Sequence, residues 1–440
     1  MEWPGYVRET MDKLAGIGCS SFLVGGCVRD ILLGLTPHDY DLVTSASADQ
    51  IKTCFERVLS IGERHGTLGV MVDGNLLEIS VFRGDTSLVG GDALPALRKD
   101  LAERDFTINA MAMDERGKLF DPWGGEIDLK RGLIRATGDR GARLFSADSL
   151  RMLRAVRLSA ARGLVIESGT WQDIRQLHGL LALSAPERIR EELNRILLSE
   201  RPAVGMRLLY QSELLGHIIP ELVAAAGFDQ RSPHHDRDVF EHSLCALENT
   251  APRLPLRLAA LLHDVAKPAC FSLDKAGKGH FYGHHLVGSE MVMTIMARLR
   301  YDYRTMEDVA LLVGAHMSRF EKVREKPLKK LIMGVGERNL PDLFELQRAD
   351  IIASAPPGDF TALEQMEHDV QRILKERLPL QRSDLAITGD ELLDLGYKAG
   401  PDLGHILMDL LEIVLEDPER NNKALLLEMA RSRLETLSSP

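Results

Sequence analysis

Asp39 and Asp41, two aspartates separated by one residue, have the type and spacing of metal ligands. They precede the apolar pair Leu42-Val43, which indicates a β-strand, and residues two apart in a strand point to the same side. Oxygen ligands suit magnesium, and two such ions about 3.5–4 Å apart can activate a hydroxyl and stabilise leaving pyrophosphate. An isolated pair of this kind is more often a solvated strand end, so the residues around it must show whether it is a metal site.

A glycine pair lies upstream, in Leu23-Val-Gly25-Gly26, between a strand-like run and a helical pattern. Glycine at such a turn lets backbone N–H groups approach a phosphate closely. Arg29, in the helical pattern that follows, has a forked guanidinium that can hold triphosphate oxygens. Together with the two aspartates downstream, these residues predict metal-assisted nucleotidyl transfer.

Another group of polar residues lies in a helical pattern that begins near Phe145. Asp148 and Arg151 are three residues apart, so they project from the same face of a helix. A carboxylate can accept from an exocyclic amine while an arginine donates to ring acceptors, and cytosine and adenine each present an amine beside an acceptor. The pair predicts a reader of the nucleotide base. Arg154 and Arg157 continue the stripe towards a triphosphate, or form surface ion pairs.

The later half of the chain contains a group rich in histidine: His242, His263, Asp264, His285, His316 and Asp350. His263 and Asp264 are adjacent in an apolar helical run, where burial of both polar groups without partners is costly. Metal coordination would satisfy them; the alternative is a set of hydrogen-bonded core histidines. The group therefore predicts a divalent metal site that could activate water against a phosphoester.

The elements that must position these residues change in character along the chain. Short apolar runs predict strands at residues 22–24, 41–43, 68–72 and 76–82, and a helical pattern covers Ala48 to Leu59. Beyond Phe145 helical spacing dominates. The prediction is an α/β head over residues 1–137, a helical neck over 138–225, a metal-binding helical domain over 226–355 and a helical tail over 356–440.

Charge and cysteine content narrow the class of protein. The net charge is −11, yet residues 129–207 have a balance of +7, so the remainder carries −18. Such a basic segment could follow nucleic-acid phosphates or form a solvated helical face. Five scattered cysteines are typical of reduced thiols in a cytoplasmic protein. No apolar run of about 18 residues predicts a membrane span, and no signal-peptide pattern opens the chain.

In this order, the motifs resemble those of the class II tRNA nucleotidyltransferase and bacterial poly(A) polymerase family, over roughly residues 20–220. Arg104-Asp105-Phe-Thr-Ile-Asn109 resembles a further family segment, and Gly138-Asp139 with Arg143 resembles the hinge between head and neck. The resemblance implies a DNA polymerase β-like head. It also implies that Arg104 contacts the triphosphate, that Asp105 lies near the sugar, and that Asn109 belongs to the nucleotide site.

Three departures from the family pattern bear on the product. Glu103 stands where the family usually has an arginine, and Ala147 stands where it usually has the glutamate of E-D-x-x-R. The segment from Phe82 to Asp105 is also shorter than in typical CCA-adding members. CC-adding members have shortened the same loop, which helps the switch from C to A addition, so addition of the terminal A stays open. Glu78 either adds a third carboxylate to the metal site or faces outward.

The histidine-rich region resembles an HD domain, with His242, His263, Asp264 and Asp350 as metal ligands. His285 and His316 match positions that add a second metal in dinuclear members. This resemblance implies phosphohydrolase or 2′,3′-cyclic phosphodiesterase activity with nickel, manganese or another divalent metal.

The prediction is a magnesium-dependent tRNA nucleotidyltransferase that adds C, A or both to the tRNA 3′ end from CTP and ATP, without a template. Residues 61–69 lack the basic run of poly(A) polymerases, which favours tRNA as the substrate. The alternatives are a CC-adding or A-adding enzyme, a poly(A) polymerase, and an HD-domain hydrolase with a nucleotide-binding regulatory head. The sequence leaves the oligomeric state open.

Overall fold

The computed structural model divides the chain into two compact units, Met1–Ile218 and Ile219–Pro440. The structure describes residues 3–62, 66–82, 93–138, 141–228, 237–275, 277–318, 325–354, 358–376 and 379–437. Within these ranges, no helix combines the length and the apolar character needed to cross a membrane. None of the five cysteines forms a disulfide.

A seven-stranded mixed sheet lies at the centre of the head, with the strand order β3-β4-β5-β2-β1-β6-β7. The strands are β1 (Ser21–Val24), β2 (Asp41–Thr44), β3 (Val58–Gly62), β4 (Thr67–Val72), β5 (Asn75–Val81), β6 (Ala112–Met113) and β7 (Leu119–Phe120). The pair β2–β5 is parallel, and the other neighbouring pairs are antiparallel. The parallel pair places the start of β2 beside the middle of β5.

Five helices accompany the sheet: α1 (Gly5–Gly16), α2 (Gly26–Leu32), α3 (Ala48–Cys54), α4 (Leu94–Ala102) and α5 (Gly125–Lys130). Leu97 and Leu101 of α4 are fully buried in one core cluster with Phe22, Val43 and Ala112 of the sheet. Burial of these apolar side chains fixes α4 on the sheet. The residues that follow α4 are thereby held at the edge of the predicted nucleotide site.

The strands predicted near residues 22, 41, 68 and 76 are confirmed, but the helix predicted over Ala48–Leu59 is too long. Helix α3 ends at Cys54, and Phe55 is extended, with φ −126° and ψ 136°. Val58 then begins β3 and pairs with Val70 of β4. The β-branched Val58 suits a strand, and pairing with β4 decides its conformation over the helical spacing.

The neck consists of the short parallel pair β8 (Leu133–Ile134) and β9 (Val165–Ile166) with helices α6 (Gly141–Ala147), α7 (Leu150–Arg162), α8 (Ser168–Leu177), α9 (Pro186–Leu197), α10 (Pro202–Gln211) and α11 (Leu215–Ile218). Met152, Leu153 and Val156 of α7 are fully buried. Helix α7 packs against α9 and α10, so the opposite, arginine-bearing face is left for the cavity described below.

The second unit is almost entirely helical. It contains α12 (Pro220–Val223), α13 (Val239–Glu248), α14 (Leu254–Leu262), the hairpin β10 (Ser272–Leu273) and β11 (Gly279–His280), α15 (His284–Arg298), α16 (Tyr303–Ala315), α17 (Glu325–Val335), α18 (Leu340–Ala353), α19 (Thr361–Lys375), α20 (Gly389–Asp394), α21 (Pro401–Glu416) and α22 (Lys423–Leu437). The tail has its own apolar cluster, within which the Tyr397 hydroxyl donates to Ala430 O. The division of the chain into four domains remains a prediction.

Gly125 is the position at which α5 meets the backbone of the 3₁₀ turn Thr107–Asn109. A Cβ there would lie 2.1 Å from Thr107 O, so the turn would have to shift. We expect Gly125→Ala to lower the free energy of unfolding by about 1–3 kcal/mol, as measured by urea denaturation. Gly216→Ala in α11 is the matched control, because an added Cβ has nothing within 4 Å. It should leave stability unchanged or raise it by up to about 1 kcal/mol. Equal stability of Gly125→Ala and the unaltered chain would contradict this packing.

Candidate active site and metal centre

Head and neck residues together line a cavity of about 320 Å³. Its lining includes Glu103, which the sequence did not predict for the site. The other lining residues were all predicted for metal or nucleotide binding: Gly25, Gly26, Arg29, Asp41, Arg104, Asp105, Asn109, Arg151, Arg154 and Arg157.

Gly25 lies at the turn between β1 and α2, with a φ of +77°. A Cβ at this position would lie 2.9 Å from Arg104 Nη1 and 3.8 Å from Asp41 Oδ2. Both the backbone conformation and the close approach therefore require glycine. Because Gly25 has no side chain, Arg104 and Asp41 can both lie close to this turn in the cavity.

A buried hydrogen-bond network links Arg29 of α2 to the segment that follows α4. Arg29 pairs with Asp30, Nη2 to Oδ1 at 2.8 Å, and donates from Nη1 to Asn109 Oδ1 at 2.8 Å. The Asn109 amide donates to Asp105 Oδ1 at 3.0 Å. On the neck side, Arg154 Nη2 lies 2.9 Å from Asp105 Oδ2. The network fixes the side chains of both head and neck around the cavity.

Asp105 is only 4% exposed, and burial by itself raises the pKa of a carboxyl. Arg154, the Asn109 amide and the Phe106 N–H outweigh that effect, so the pKa of Asp105 lies below its ordinary value. Asp105 is thus an ionised hydrogen-bond acceptor at neutral pH. Arg104, four residues after Asp100, donates to Asp100 Oδ2 from Nε and Nη2, both at 3.2 Å. That pairing holds Arg104 at the cavity wall.

Asp41 is the first residue of β2 and stands directly beside Glu78 of β5. Asp39 precedes the strand, so strand alternation does not set its direction. Its side chain is 87% exposed, and its Oδ1 lies 3.2 Å from His38 Nδ1. Asp39 is nevertheless near enough for its charge to act on Asp41. The charges of Glu78 and Asp39 thus both act on Asp41 at the cavity, although among the described residues the oxygen atoms of these three carboxylates do not all lie within 4.8 Å of one another.

Burial, Glu78 and Asp39 raise the pKa of Asp41 to about 6. Arg104 and Arg154 oppose this effect without cancelling it. Carboxylates that resist ionisation because of each other's charge are stabilised by a shared cation. The donor set consists of hard oxygen atoms, which fits magnesium. Binding of magnesium by Asp39 and Asp41 stays a prediction, and Glu78 joins them as a third possible ligand.

The two predicted base-reading residues lie at the start of α7. Arg151 lines the cavity, and its Nη2 donates to the backbone oxygen of Glu103 at 2.8 Å. Asp148 lies just before the helix, where its Oδ1 accepts from Leu150 N at 3.2 Å. Its Oδ2 accepts from Arg188 Nη2 of α9 at 3.2 Å. Both side chains are held by groups distant in sequence.

The two residues that depart from the family pattern share another cavity, of about 350 Å³. Glu103 and Ala147 line it together with Trp123, Thr137, Arg143 and Arg151. This cavity adjoins the first one, because Glu103 and Arg151 line both. Residues 83–92 of the shortened loop and Asp139 of the predicted hinge lie outside the described residues.

The second unit brings together four buried histidines whose Nδ1 atoms all face backbone carbonyls. The Nδ1···O distances are 3.2 Å for His242 to Ala353, 2.9 Å for His263 to Ala260, 2.8 Å for His284 to Phe281 and 2.6 Å for His316 to Val313. A carbonyl only accepts, so each Nδ1 carries the proton. The four Nε2 atoms therefore present lone pairs, as metal-ligating imidazoles do.

These lone pairs converge on Asp264. Nε2 atoms lie 3.2 Å apart for His242 and His263, and 3.3 Å apart for His284 and His316. Asp264 Oδ2 is 3.2 Å from His263 Nε2, and its Oδ1 is 3.3 Å from His284 Nε2. Asp350 Oδ1 lies 3.0 Å from His242 Nε2. Nitrogen and oxygen atoms that only accept hydrogen bonds would repel one another at such distances. Their arrangement fits two divalent cations with Asp264 between them.

The charges around the cluster support the same interpretation. Burial lowers the pKa of His316 to about 3, so its imidazole is neutral. Burial also opposes charge on His263, but Asp264 and Asp350 raise its pKa overall. Positive charge is therefore favoured where His263 meets the two carboxylates. Lys267 supplies one such charge, with Nζ 2.7 Å from Asp264 Oδ2.

The structure places His284, rather than the predicted His285, in this cluster. His284 is 5% exposed, whereas His285 is half-buried, and its ring centroid lies 6.5 Å from that of His316. Successive helix residues point about 100° apart, so only one of two adjacent histidines can face the cluster. The sequence feature that could have identified His284 is Gly288, which lies four residues later on the same face of the helix. A Cβ at Gly288 would lie 3.7 Å from His263 O, so this face of the helix packs closely against His263.

Four parts of the chain match known families. Residues 21–135 match the poly(A) polymerase head domain, and residues 163–225 match the probable RNA- and SrmB-binding site of polymerase A. Residues 239–353 match the HD domain, and residues 350–430 match a putative tRNA nucleotidyltransferase domain 2. The matches follow the order of the head, neck, metal-binding and tail regions.

Two curated relatives match the chain over most of their length. The chain is 34% identical to the A-adding tRNA nucleotidyltransferase of Deinococcus radiodurans, with 89% of this chain and 90% of the relative covered. It is 36% identical to the CC-adding tRNA nucleotidyltransferase of Thermus thermophilus, with 90% of each covered. The Bacillus stearothermophilus CCA-adding enzyme in complex with CTP has the same fold, with a TM-score of 0.73 at 23% identity over 99% of this chain and 100% of that chain. The predicted fold class is confirmed.

Asp41→Asn tests the effect of burial and of the neighbouring negative charges on Asp41 in metal-free protein. A pKa raised from 3.8 to about 6 means that ionisation of Asp41 costs the folded state free energy, about 1–3 kcal/mol. The cost is absent below about pH 4, where the carboxyl is protonated in both states, and complete above about pH 6. We expect Asp41→Asn to be more stable than the unaltered chain at pH 8 in EDTA and equally stable near pH 4, by urea denaturation. Asp12→Asn, on exposed α1, should show no gain. A gain of the same size at both pH values would contradict the assignment.

Proposed function

Because the chain belongs to the tRNA nucleotidyltransferase family, we propose that it adds cytidine, adenosine or both to the tRNA 3′ end from CTP and ATP, without a template. One observation carries the proposal. A single cavity joins Asp41, the Gly25–Gly26 turn, the triphosphate arginines and Arg151 of the base-reading pair. The unpaired cysteines support a cytoplasmic location.

The 3′ hydroxyl of the RNA loses its proton to water as its oxygen attacks the α-phosphorus of the nucleotide. The new phosphodiester bond forms as the bond to the β-phosphate breaks, and pyrophosphate leaves. Asp39, Asp41 and Glu78 would hold magnesium, which lowers the pKa of the hydroxyl and offsets phosphate charge when bound. Asp41 receives no proton while it is occupied in this way, so it acts as a ligand rather than as a base.

The arginines of the cavity orient the triphosphate. Arg29 and Arg104 are already fixed by Asp30 and Asp100, so they lose little side-chain freedom when phosphates bind. Each retains N–H groups for phosphate oxygens, because a guanidinium has five. Arg154 and Arg157, held by Asp105 and Glu192, extend the positive charge along α7. Fixed donors of this kind stabilise the charge that develops on the leaving group.

Asp148 and Arg151 select the base by hydrogen bonding. The carboxylate accepts from the exocyclic amine of cytosine or adenine, and the guanidinium donates to the adjacent ring acceptor. Uracil has a carbonyl in place of that amine, which would face the carboxylate acceptor to acceptor. A site built in this way rejects UTP because its own polar group is left without a partner.

The basic segment and the tail would hold the tRNA through its backbone and shape. The match of residues 163–225 to a probable RNA-binding region supports this part of the proposal. The enzyme could add C, A or both. The A-adding and CC-adding relatives match the chain over nearly equal lengths, so the lengths do not favour one product. The product must therefore be measured directly.

Three tRNA transcripts, ending before CCA, after CC and complete, offered with CTP and ATP separately, define the product ladder. We expect extension of at least one transcript by the unaltered chain. Asp41→Ala should reduce incorporation by at least about a thousandfold, because metal-assisted activation is lost. Asp12→Ala should retain it. Absence of incorporation into every transcript by the unaltered chain would overturn the proposal.

We propose a second activity for the HD domain, hydrolysis of a phosphoester such as a 2′,3′-cyclic phosphate at an RNA end. The convergence of four Nε2 lone pairs on Asp264 supports it. Water adds to phosphorus, the bond to the 2′ or 3′ oxygen breaks, that oxygen takes the proton, and a phosphomonoester results. Divalent cations held by the cluster would lower the pKa of a bound water. Asp264 and the four imidazoles would hold these cations.

His284→Ala and His285→Ala form a matched pair for this second activity. We expect His284→Ala to bind less nickel or manganese after dialysis and to lose at least about tenfold in turnover of bis-p-nitrophenyl phosphate, because a ligand is missing. His285→Ala should keep both properties. Metal content is read by elemental analysis, and CTP incorporation should be unaffected in both variants. Equal losses in the two variants, or none in either, would exclude this site.

A further inference from the structure

We propose that Arg188 is a positioning residue for base selection and that it acts through Asp148, an inference that rests on the proposed function. Arg188 Nη2 lies 3.2 Å from Asp148 Oδ2. The two side chains are 59% and 29% exposed, so the pair is accessible to solvent. An exposed ion pair adds little to stability, which leaves orientation of the carboxylate as its main effect.

Asp148 is held at both oxygens. Oδ1 accepts from Leu150 N at the first turn of α7, and Oδ2 accepts from Arg188. A carboxylate with one contact can rotate about its Cβ–Cγ bond, whereas two contacts on different elements fix the plane of the group. The lone pairs of the Asp148 carboxylate that accept neither of these hydrogen bonds then keep one fixed direction. Removal of Arg188 would leave only the local contact within the start of α7.

Arg188 is itself well anchored. It is the third residue of α9, which begins with Pro186 and packs along α7. The junction between the two helices is closed by Ser149 Oγ and Ser184 Oγ, which lie 2.6 Å apart. The arginine therefore approaches Asp148 from a helix whose position relative to α7 is fixed. This is the property that a positioning residue needs.

The chemical consequence concerns UTP. Arg188 holds the Asp148 carboxylate in one orientation as a hydrogen-bond acceptor, which disfavours the uracil carbonyl. Without Arg188 the carboxylate can turn away from that carbonyl. Loss of the arginine should thus relax the choice between CTP and UTP more than it weakens the reaction with CTP.

The test compares Arg188→Ala and Arg188→Lys with Arg195→Ala, a control on the same helix whose side chain is 60% exposed. Measured quantities are kcat/KM for CTP, ATP and UTP on one tRNA transcript, Kd for that tRNA, and stability in urea. For Arg188→Ala we expect the CTP-to-UTP ratio of kcat/KM to fall about tenfold, the loss of one charged hydrogen bond. The lysine variant should recover part of the ratio, and Arg195→Ala should keep it.

A double variant separates action through Asp148 from other roles. Once Asp148→Ala is present, Arg188→Ala should change the ratio no further. If Arg188 instead contacts an RNA phosphate, all nucleotides will lose equally and Kd for tRNA will rise, which overturns the inference. An unchanged ratio in an active enzyme also overturns it and leaves the proposed function intact. No incorporation by the unaltered chain overturns both.

Discussion

The buried carboxylate of Asp105 connects parts of the nucleotide cavity that come from different stretches of the chain. It accepts from Asn109, which in turn accepts from Arg29, and it pairs with Arg154 of α7. A buried charge that loses a partner is costly, so these groups cannot shift independently. The arginine that faces the phosphates and the helix that carries the base reader therefore share one electrostatic support. Any rearrangement between them has to act on this carboxylate.

The two metal-binding regions use opposite physical arrangements. In the head, burial and the negative charges of Glu78 and Asp39 raise the pKa of Asp41. In the HD domain, backbone carbonyls accept hydrogen bonds from the Nδ1 atoms of four buried histidines, so that the Nε2 atoms are turned towards one another and towards Asp264. Oxygen ligands of high charge suit magnesium, whereas imidazoles suit nickel, manganese or zinc. The two sets of residues therefore favour different kinds of cation.

The sequence predicted most of the nucleotide cavity, because its residues lie in short motifs whose spacing fixes their relative direction. Predictions of the direction of a single side chain, or of which of two adjacent residues faces a site, were less accurate. Asp39 lies before the strand that was expected to orient it, and His284 replaces its neighbour His285 in the HD cluster. Local patterns also cannot reveal partners that are remote in sequence. Arg188 is 40 residues from Asp148, and the Glu103 carbonyl is 48 residues from Arg151.

The cavity lined by Glu103 and Ala147 has a consequence for the design of selective inhibitors. It adjoins the nucleotide cavity, and Glu103 lines both. A nucleoside analogue with a cationic arm long enough to enter the adjoining space would meet a carboxylate here. In relatives with the usual arginine, the same arm would meet like charge, and with the usual glutamate in place of Ala147 it would find less room. The two departures from the family pattern thus change both the charge and the room that such an arm would meet.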